Sequence, residues 1–258
     1  VTGRLTALVL AGRRAGPPDA LAAATGAADK ALLPVAGRPM LAHVVDALAA
    51  CPLVGRILVA GGEELRLADL PGRAASSGRL ARIEPAETPA ATVAAAFAGN
   101  GAPLLVATGD HPLLTPAMVS WFVEHAPSGA DAAAAVARRE VVEAAGHGTR
   151  RTWLRFADGA VSGCNLFLLR TPRAAGAVAF WRRIEAARKR PLAMALRLGP
   201  VALGVYAVGR LSLAGAVRTL GARSGTVLAA VEMPFAEAAI DVDRPADLAL
   251  AERLLVAR

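Results

Sequence analysis

Between Leu5 and Met40 the sequence LTALVLAGRRAGPPDALAAATGAADKALLPVAGRPM sets an apolar run, a glycine turn, two arginines and a lysine in succession. A triphosphate requires such groups: backbone N–H donors left accessible by small residues, and fixed positive charge. Ala11-Gly12 supplies the small residues, Arg13 and Arg14 the first cations, and Lys30 a further one beside the apolar segment Ala31 to Val35. Taken singly, Gly12 reads equally well as a strand-end turn and Lys30 as a solvated lysine. A second candidate, Asp110, follows the apolar run Pro103 to Thr108 in TGDHPLLTP. A carboxylate at the carboxyl end of a central parallel strand lies where open α/β sheets bind ligands, and it can hold a hard cation. Pro112 and Pro116 stiffen this turn, and His111 reads as a residue that shapes the loop.

These groups need a scaffold, and the hydrophobic pattern supplies one. Leu5 to Leu10 has the length and apolar character of a buried parallel strand. Leu41, Val44, Val45 and Leu48 fall at helical spacing over Met40 to Ala50, and Pro52 closes that helix. Arg56 to Ala60 is a second strand ending at Gly61-Gly62, Leu80 to Glu84 a short third, and Thr88 to Phe97 a helix. After Asp110, Thr115-Pro116 act as cap and first residue of a helix running to His125. Asp131 to Val136 reads as a strand, and Arg138 to Arg151 as an irregular, mobile loop over the sheet. Thr152 to Phe156 and Val161 to Leu169 form a hairpin through Asp158-Gly159. Thr226 to Val231 is a late strand, and Ala239 to Leu248 is followed by a helix to Ala257.

The 258 residues, 55% hydrophobic and 19% charged, suit one domain with one substantial core, spanning 1–258. No apolar run reaches 18 residues, so no membrane span is expected. A net charge of +8 favours anionic partners. With aromatics at only 4% and no basic stripe, zinc spacing or helix-turn-helix pattern, nucleic acid is not expected among them. Cys51 and Cys164 stand far apart without a C-x-x-C, which indicates a reducing, cytoplasmic setting. The first residues carry no signal peptide pattern. No Walker A sequence and no G-x-G-x-x-G after the first strand is present.

Leu10, Ala11, Gly12, Lys30, Leu33, Pro34, Gly37, Pro39 and Leu41 resemble the signature L-A-G-G-x-S-x-R-M-G-x-x-K-x-L-L-P-x-x-G-x-P-L of the molybdopterin guanylyltransferase-like (MobA-like) NTP transferase family. The middle of the motif, Arg13 to Asp29, is longer here and lacks Ser-x-Arg-Met-Gly, so either Arg13 or Arg14 takes the place of the family arginine. TGDHPLLTP is similar to the family's second signature, G-D-x-P-L-[LV]-[ST], and DVDRPADL at 241–248 to its closing D-[IV]-D-[ST]-P-x-D-L, with Arg244 in the Ser/Thr position.

The resemblance implies a glycosyltransferase-A-like α/β fold, a three-layer α/β/α sandwich with a mainly parallel central sheet. It also implies a reaction: transfer of a nucleoside monophosphate from a nucleoside triphosphate to a phosphorylated small-molecule acceptor, with release of pyrophosphate and dependence on Mg²⁺ or Mn²⁺. On this reading Lys30 and Arg13 or Arg14 are catalytic, and Leu10, Ala11, Gly12, Lys30, Thr92, Gly109 and Asp110 contact the nucleotide. Asp110 and Asp243 bind the metal, with Asp241 as understudy to Asp243, while Asn165 and Gly163 face the acceptor. Thr92 reads equally as a local cap, and Asn165 as a strand residue satisfied by nearby backbone. Asp247, one turn into the last helix, favours its positive end.

An alanine-rich helical insert at about 172–222 departs from the minimal family pattern. Ala177, Phe180, Trp181 and Ile184 form an apolar face opposite Arg182, Arg183, Arg188, Lys189, Arg190 and Arg197. Those cations read as a solvated face or as contacts to an anionic acceptor or an acidic membrane surface. Two rivals remain. One is a nucleotide-sugar glycosyltransferase, which often places its metal on a D-x-D at the end of a middle strand. The other is a nucleotide-binding regulator without turnover.

Overall fold

The computed structural model describes residues 4–12, 21–22, 29–72, 74, 77–187 and 199–257. In chain order the elements are β1 (Leu5–Leu10), β2 (Pro34–Val35), β3 (Arg38–Pro39), α1 (Met40–Ala50), β4 (Val54–Ala60), β5 (Leu80–Ile83), α2 (Pro89–Asn100), β6 (Leu104–Thr108) and α3 (Pro116–His125). They continue with β7 (Ala132–Arg138), α4 (Arg139–Ala144), β8 (Leu154–Phe156), β9 (Gly159–Leu169), α5 (Ala175–Ala187), α6 (Pro200–Ala207), α7 (Leu213–Ser224), β10 (Leu228–Glu232) and α8 (Pro245–Val256).

The main sheet has the order β10-β7-β9-β6-β1-β4-β5, with β8 paired to β9. β5, β4, β1 and β6 run parallel, as do β7 and β10, whereas β9 is antiparallel to both β6 and β7. β9 enters through the hairpin at Asp158-Gly159, where Gly159 takes φ +117°, a conformation that favours a residue without Cβ.

The strands bury both faces, and their period of two divides the core. Ala7 and Val9 of β1 face one layer with Leu41, Val45 and Phe122, while Leu8 faces the other with Val93, Phe97 and Val178. Helices α1 and α3 thus cover one side of the sheet and α2 and α5 the other, giving the three-layer α/β/α sandwich. Complete burial of a side chain such as Leu8 contributes about 1.5–3 kcal/mol, so a charge placed on β1 would not be tolerated. The chemistry is therefore confined to strand ends. A third apolar cluster, including Leu33, Met40, Leu113, Val242 and Leu250, packs beneath those ends and anchors the loops that carry Lys30, Asp110 and Asp243.

One expected feature is corrected. Arg138 to Arg151 is not an irregular loop throughout, because Arg139–Ala144 is helical, with Val142 buried and Arg139 Nε 2.6 Å from Glu143 Oε1. The residues that follow are tied to the end of the sheet: His147 Nε2 lies 3.0 Å from Glu237 Oε1, and Arg151 reaches Asp241 and Asp247. In the 172–222 region α5 packs through Val178, Ala177 and Trp181, the last against Phe167 at 5.5 Å between ring centroids. Arg182 and Arg183 are exposed on α5, and Arg188, Lys189, Arg190 and Arg197 lie outside the described residues. No helix among the described residues is long and apolar enough to cross a membrane.

Candidate active site

The parallel pairing of β1 with β6 sets Leu10 opposite Thr108, so Ala11-Gly12 and Gly109-Asp110 leave the sheet side by side. Gly109 N donates to Leu10 O at 2.9 Å, and a Cβ on Gly109 would come within 3.3 Å of the Ala11 Cβ. Gly12 is still more constrained: a Cβ there would lie 2.8 Å from the Cβ of Pro85. Small residues at these turns let the two crossings of the backbone meet.

Lys30 opens a short 3₁₀ turn, Lys30–Leu32, capped by Asp29, whose carboxylate accepts from Ala31 N at 2.8 Å. Buried Leu33 fixes the turn to the core beneath. From it the Lys30 ammonium reaches two carboxylates, Asp110 Oδ2 at 2.8 Å and Asp243 Oδ1 at 2.5 Å. Asp110 Oδ1 accepts the Thr108 hydroxyl at 2.6 Å, and its carbonyl accepts Val242 N at 2.9 Å, which docks the 241–243 segment on the Asp110 turn. His111 is buried and its Nε2 donates to Glu237 O at 3.1 Å, the loop-shaping role expected of it.

Asp241 joins this pair. Its Oδ2 accepts from Asn165 Nδ2 at 2.9 Å, and its Oδ1 accepts from the Arg151 guanidinium. One carboxylate oxygen from each of Asp110, Asp241 and Asp243 lies within 4.8 Å of the others. At that separation and an effective dielectric constant of about 20, the part-buried Asp110 and Asp241 repel by about 3 kcal/mol. Asp243 is 59% exposed and more fully screened. Such a cluster calls for cationic charge, and all three groups offer the hard oxygen ligands that Mg²⁺ or Mn²⁺ takes.

The protonation equilibria record the same balance. Burial works against the charged Lys30, but Asp110 and Asp243 outweigh it and raise its ammonium above the ordinary lysine value. Burial also opposes ionisation of Asp110, yet Lys30 and the Thr108 hydroxyl hold it below the usual carboxylate range. Asp241 moves the other way, raised by burial and by the charges of Asp243 and Asp110. Cys164 beside it is pushed up to about 12 by burial and by Asp241, which makes it a poor nucleophile.

Thr92, expected at the nucleotide, is buried and fully engaged: its hydroxyl accepts from Ala86 N at 2.9 Å and donates to Thr88 O at 3.0 Å. It shapes the wall of a cleft lined by Leu10, Gly12, Ala60, Pro85, Ala86 and Thr88. Asn165 is turned toward Asp241, and Gly163 is exposed with open space where a Cβ would stand. Lys30, Asp110, Asp241, Asp243 and Asn165 therefore meet at one edge, with Leu10, Ala11, Gly12 and Gly109 adjoining. Arg13 and Arg14 lie outside the described residues. Sequence reasoning missed Arg151 and Thr108, and only the adjacency of Thr108 to Asp110 was visible beforehand.

Comparison with known proteins agrees with this architecture. The family profile of the MobA-like NTP transferase domain matches residues 7–197. A hypothetical transferase from Thermus thermophilus is 33% identical, with 95% of this chain and 99% of that chain covered and a TM-score of 0.80. CMP:2-keto-3-deoxy-manno-octonic acid synthetase complexed with CTP shares the fold at 14% identity, 99% coverage of both chains and a TM-score of 0.58. The bifunctional protein GlmU of Sinorhizobium fredii is 39% identical over 113 residues, which are 41% of this chain and 24% of that protein, so the chain spans about a quarter of that relative. With the glycosyltransferase-A-like sandwich, the signature residues at one sheet edge and a profile match over most of its length, the chain belongs to the MobA-like NTP transferases, a family of nucleotidyltransferases.

Proposed function

We propose that this protein is a Mg²⁺- or Mn²⁺-dependent nucleotidyltransferase that moves a nucleoside monophosphate from a nucleoside triphosphate onto a phosphorylated small molecule and releases pyrophosphate. The observation that carries the reading is the Lys30 ammonium between Asp110 and Asp243 at the carboxyl edge of β1 and β6, beside the cleft bounded by Gly12, Pro85 and Thr92.

No covalent nucleophile is needed, because the acceptor phosphate brings the attacking oxygen. The obstacle is repulsion between two anions. Asp110, Asp241 and Asp243 would hold the divalent cation, and the oxygen-only donor set within 4.8 Å fits it. When bound, the cation supplies charge neutralisation at the phosphates. Lys30 adds a fixed positive charge where negative charge builds on the phosphoryl oxygens, and Arg13 or Arg14 would add to it. The cleft walled by Thr92 and Pro85 takes the nucleoside, and the acceptor approaches over β9 past exposed Gly163, flanked by Asn165. The free, buried Cys51 and Cys164 support a reducing, cytoplasmic setting.

The test is a panel of the four ribonucleoside triphosphates with Mg²⁺, each scored for binding and, with mixed phosphomonoesters, for pyrophosphate. Release with one pairing is expected. Binding without release in every pairing would indicate a nucleotide-binding regulator, and consumption of a nucleotide-sugar instead would indicate a glycosyltransferase.

A further inference from the structure

Arg151 lies just before β8, far in sequence from the signature residues, yet its guanidinium is almost completely committed within the site. Only 5% of its side chain is exposed. Nη1 donates to Asp241 Oδ1 and to Ala239 O at 3.1 Å, Nη2 to Asp247 Oδ1 at 2.6 Å, and Nε to Thr149 Oγ1 at 2.9 Å. The second oxygen of Asp247 accepts from Asp243 N at 3.3 Å and Arg244 N at 3.1 Å. One planar fork therefore holds Asp241 directly and the backbone of Asp243 through Asp247.

A second device acts on the same carboxylate from the sheet. The pairing of β7 with β9 shifts register between Ala134 and Val136, and on the β9 side Asn165 takes φ +52°. Asparagine tolerates that left-handed conformation better than most residues with a side chain. There its amide donates to Asp241 Oδ2 at 2.9 Å. Both oxygens of Asp241 are thus directed by donors from different elements, and each keeps a lone pair for a cation.

We propose that Arg151 and Asn165 are positioning residues that lock Asp241 into the cation site as a third carboxylate beside Asp110 and Asp243. The inference rests on the cation-dependent reading above and adds to it the pair that orients its third carboxylate. Outer partners of this kind change metal affinity by about 10- to 100-fold when removed. Lysine at 151 keeps the charge but cannot span Asp241 and Asp247 as a fork, and glycine at 165 keeps the positive φ while deleting the amide.

The experiment measures Mn²⁺ binding by the electron paramagnetic resonance of free Mn²⁺, without nucleotide, for the wild type, Arg151→Lys, Asn165→Gly and Asp241→Asn. The expected result is dissociation constants raised about 10-fold or more for each of the first two variants, with no further loss when either change is added to Asp241→Asn. Binding equal to the wild type in both variants overturns the positioning role alone. Further weakening in the Asp241→Asn background also overturns it, since it would signify general loosening. A wild type that binds no Mn²⁺ overturns the cation site itself and this inference with it. Should Arg151→Lys fail to fold, as judged by its thermal midpoint, Asn165→Gly decides the matter.

Discussion

Asp110 and Asp131 make an instructive pair. Each stands at the end of a strand of the same sheet, and each accepts a threonine hydroxyl at 2.6 Å, from Thr108 and Thr171 respectively. The second oxygens differ. That of Asp131 accepts the backbone N–H of Val227 at 2.9 Å, a donor fixed by the neighbouring backbone, with the exposed Arg173 guanidinium only at 3.8 Å. That of Asp110 is held by the Lys30 ammonium, a separate cation on a flexible stem, and two further carboxylates lie close by. β6 and β7 point the same way, so Asp110 sits at the carboxyl edge and Asp131 at the amino edge. A carboxylate saturated by fixed donors is a structural clamp, whereas one balanced by a displaceable cation among other carboxylates is equipped for ligands.

The comparison is broken most directly at Asp110. Asp110→Asn should lower turnover by about 10²- to 10³-fold, shift the Mg²⁺ titration of pyrophosphate release, and leave the urea midpoint near that of the wild type. An unchanged Mg²⁺ titration would refute the assignment. Lys30→Met should cost about 10²-fold in turnover, yet tighten Mn²⁺ binding measured without nucleotide, because it removes the ammonium that competes for Asp110 and Asp243 in the wild type. Weaker Mn²⁺ binding in that variant would mean that Lys30 organises the carboxylates instead.

Asp131→Asn should do the reverse of Asp110→Asn. It should lower unfolding stability by about 1–3 kcal/mol while turnover at a permissive temperature stays within about twofold of the wild type. The Thr171 and Val227 hydrogen bonds hold the Asp131 carboxyl below its ordinary value. A depressed folded-state value contributes stability above the unfolded pKa, about 3.9, and that contribution is lost as pH falls through the lower folded value. Urea melts of wild type and variant should therefore differ at pH 7 and converge in acid, and a constant gap would disprove the clamp. The smallest effects come from the matched hydroxyls: Thr171→Val should cost about 1 kcal/mol of stability, and Thr108→Val a few-fold in turnover with stability nearly unchanged.

Much of this molecule was legible from local pattern. Helix α1 has the bounds that its apolar spacing predicts, Thr115-Pro116 cap and begin α3, and Asp158-Gly159 turns the β8–β9 hairpin. Lys30, Asp110 and Asp243 converge as their signatures imply. The parts that escaped depend on distant partners. Helix α4 is six residues long, too short to be stable from its own propensity, and it depends on burial of Val142. Arg151 finds Asp241 and Asp247 across 90 and 96 positions of sequence, a pairing no spacing rule encodes. The left-handed backbone of Asn165 arises from a register shift between β7 and β9, a property of two strands rather than of either sequence.

β9 travels against its neighbours, and that reversal separates the two halves of the cleft by their origin in the sequence. On the function proposed above, turns leaving β1 and β6 would build the half that meets phosphates, while a hairpin arriving from the other direction would build the half that a second substrate passes. Changes in hairpin length, or in its side chains other than Asn165, would leave Gly12 and Asp110 in place, so on that reading a lineage could adopt new acceptors while its nucleotide machinery stays put.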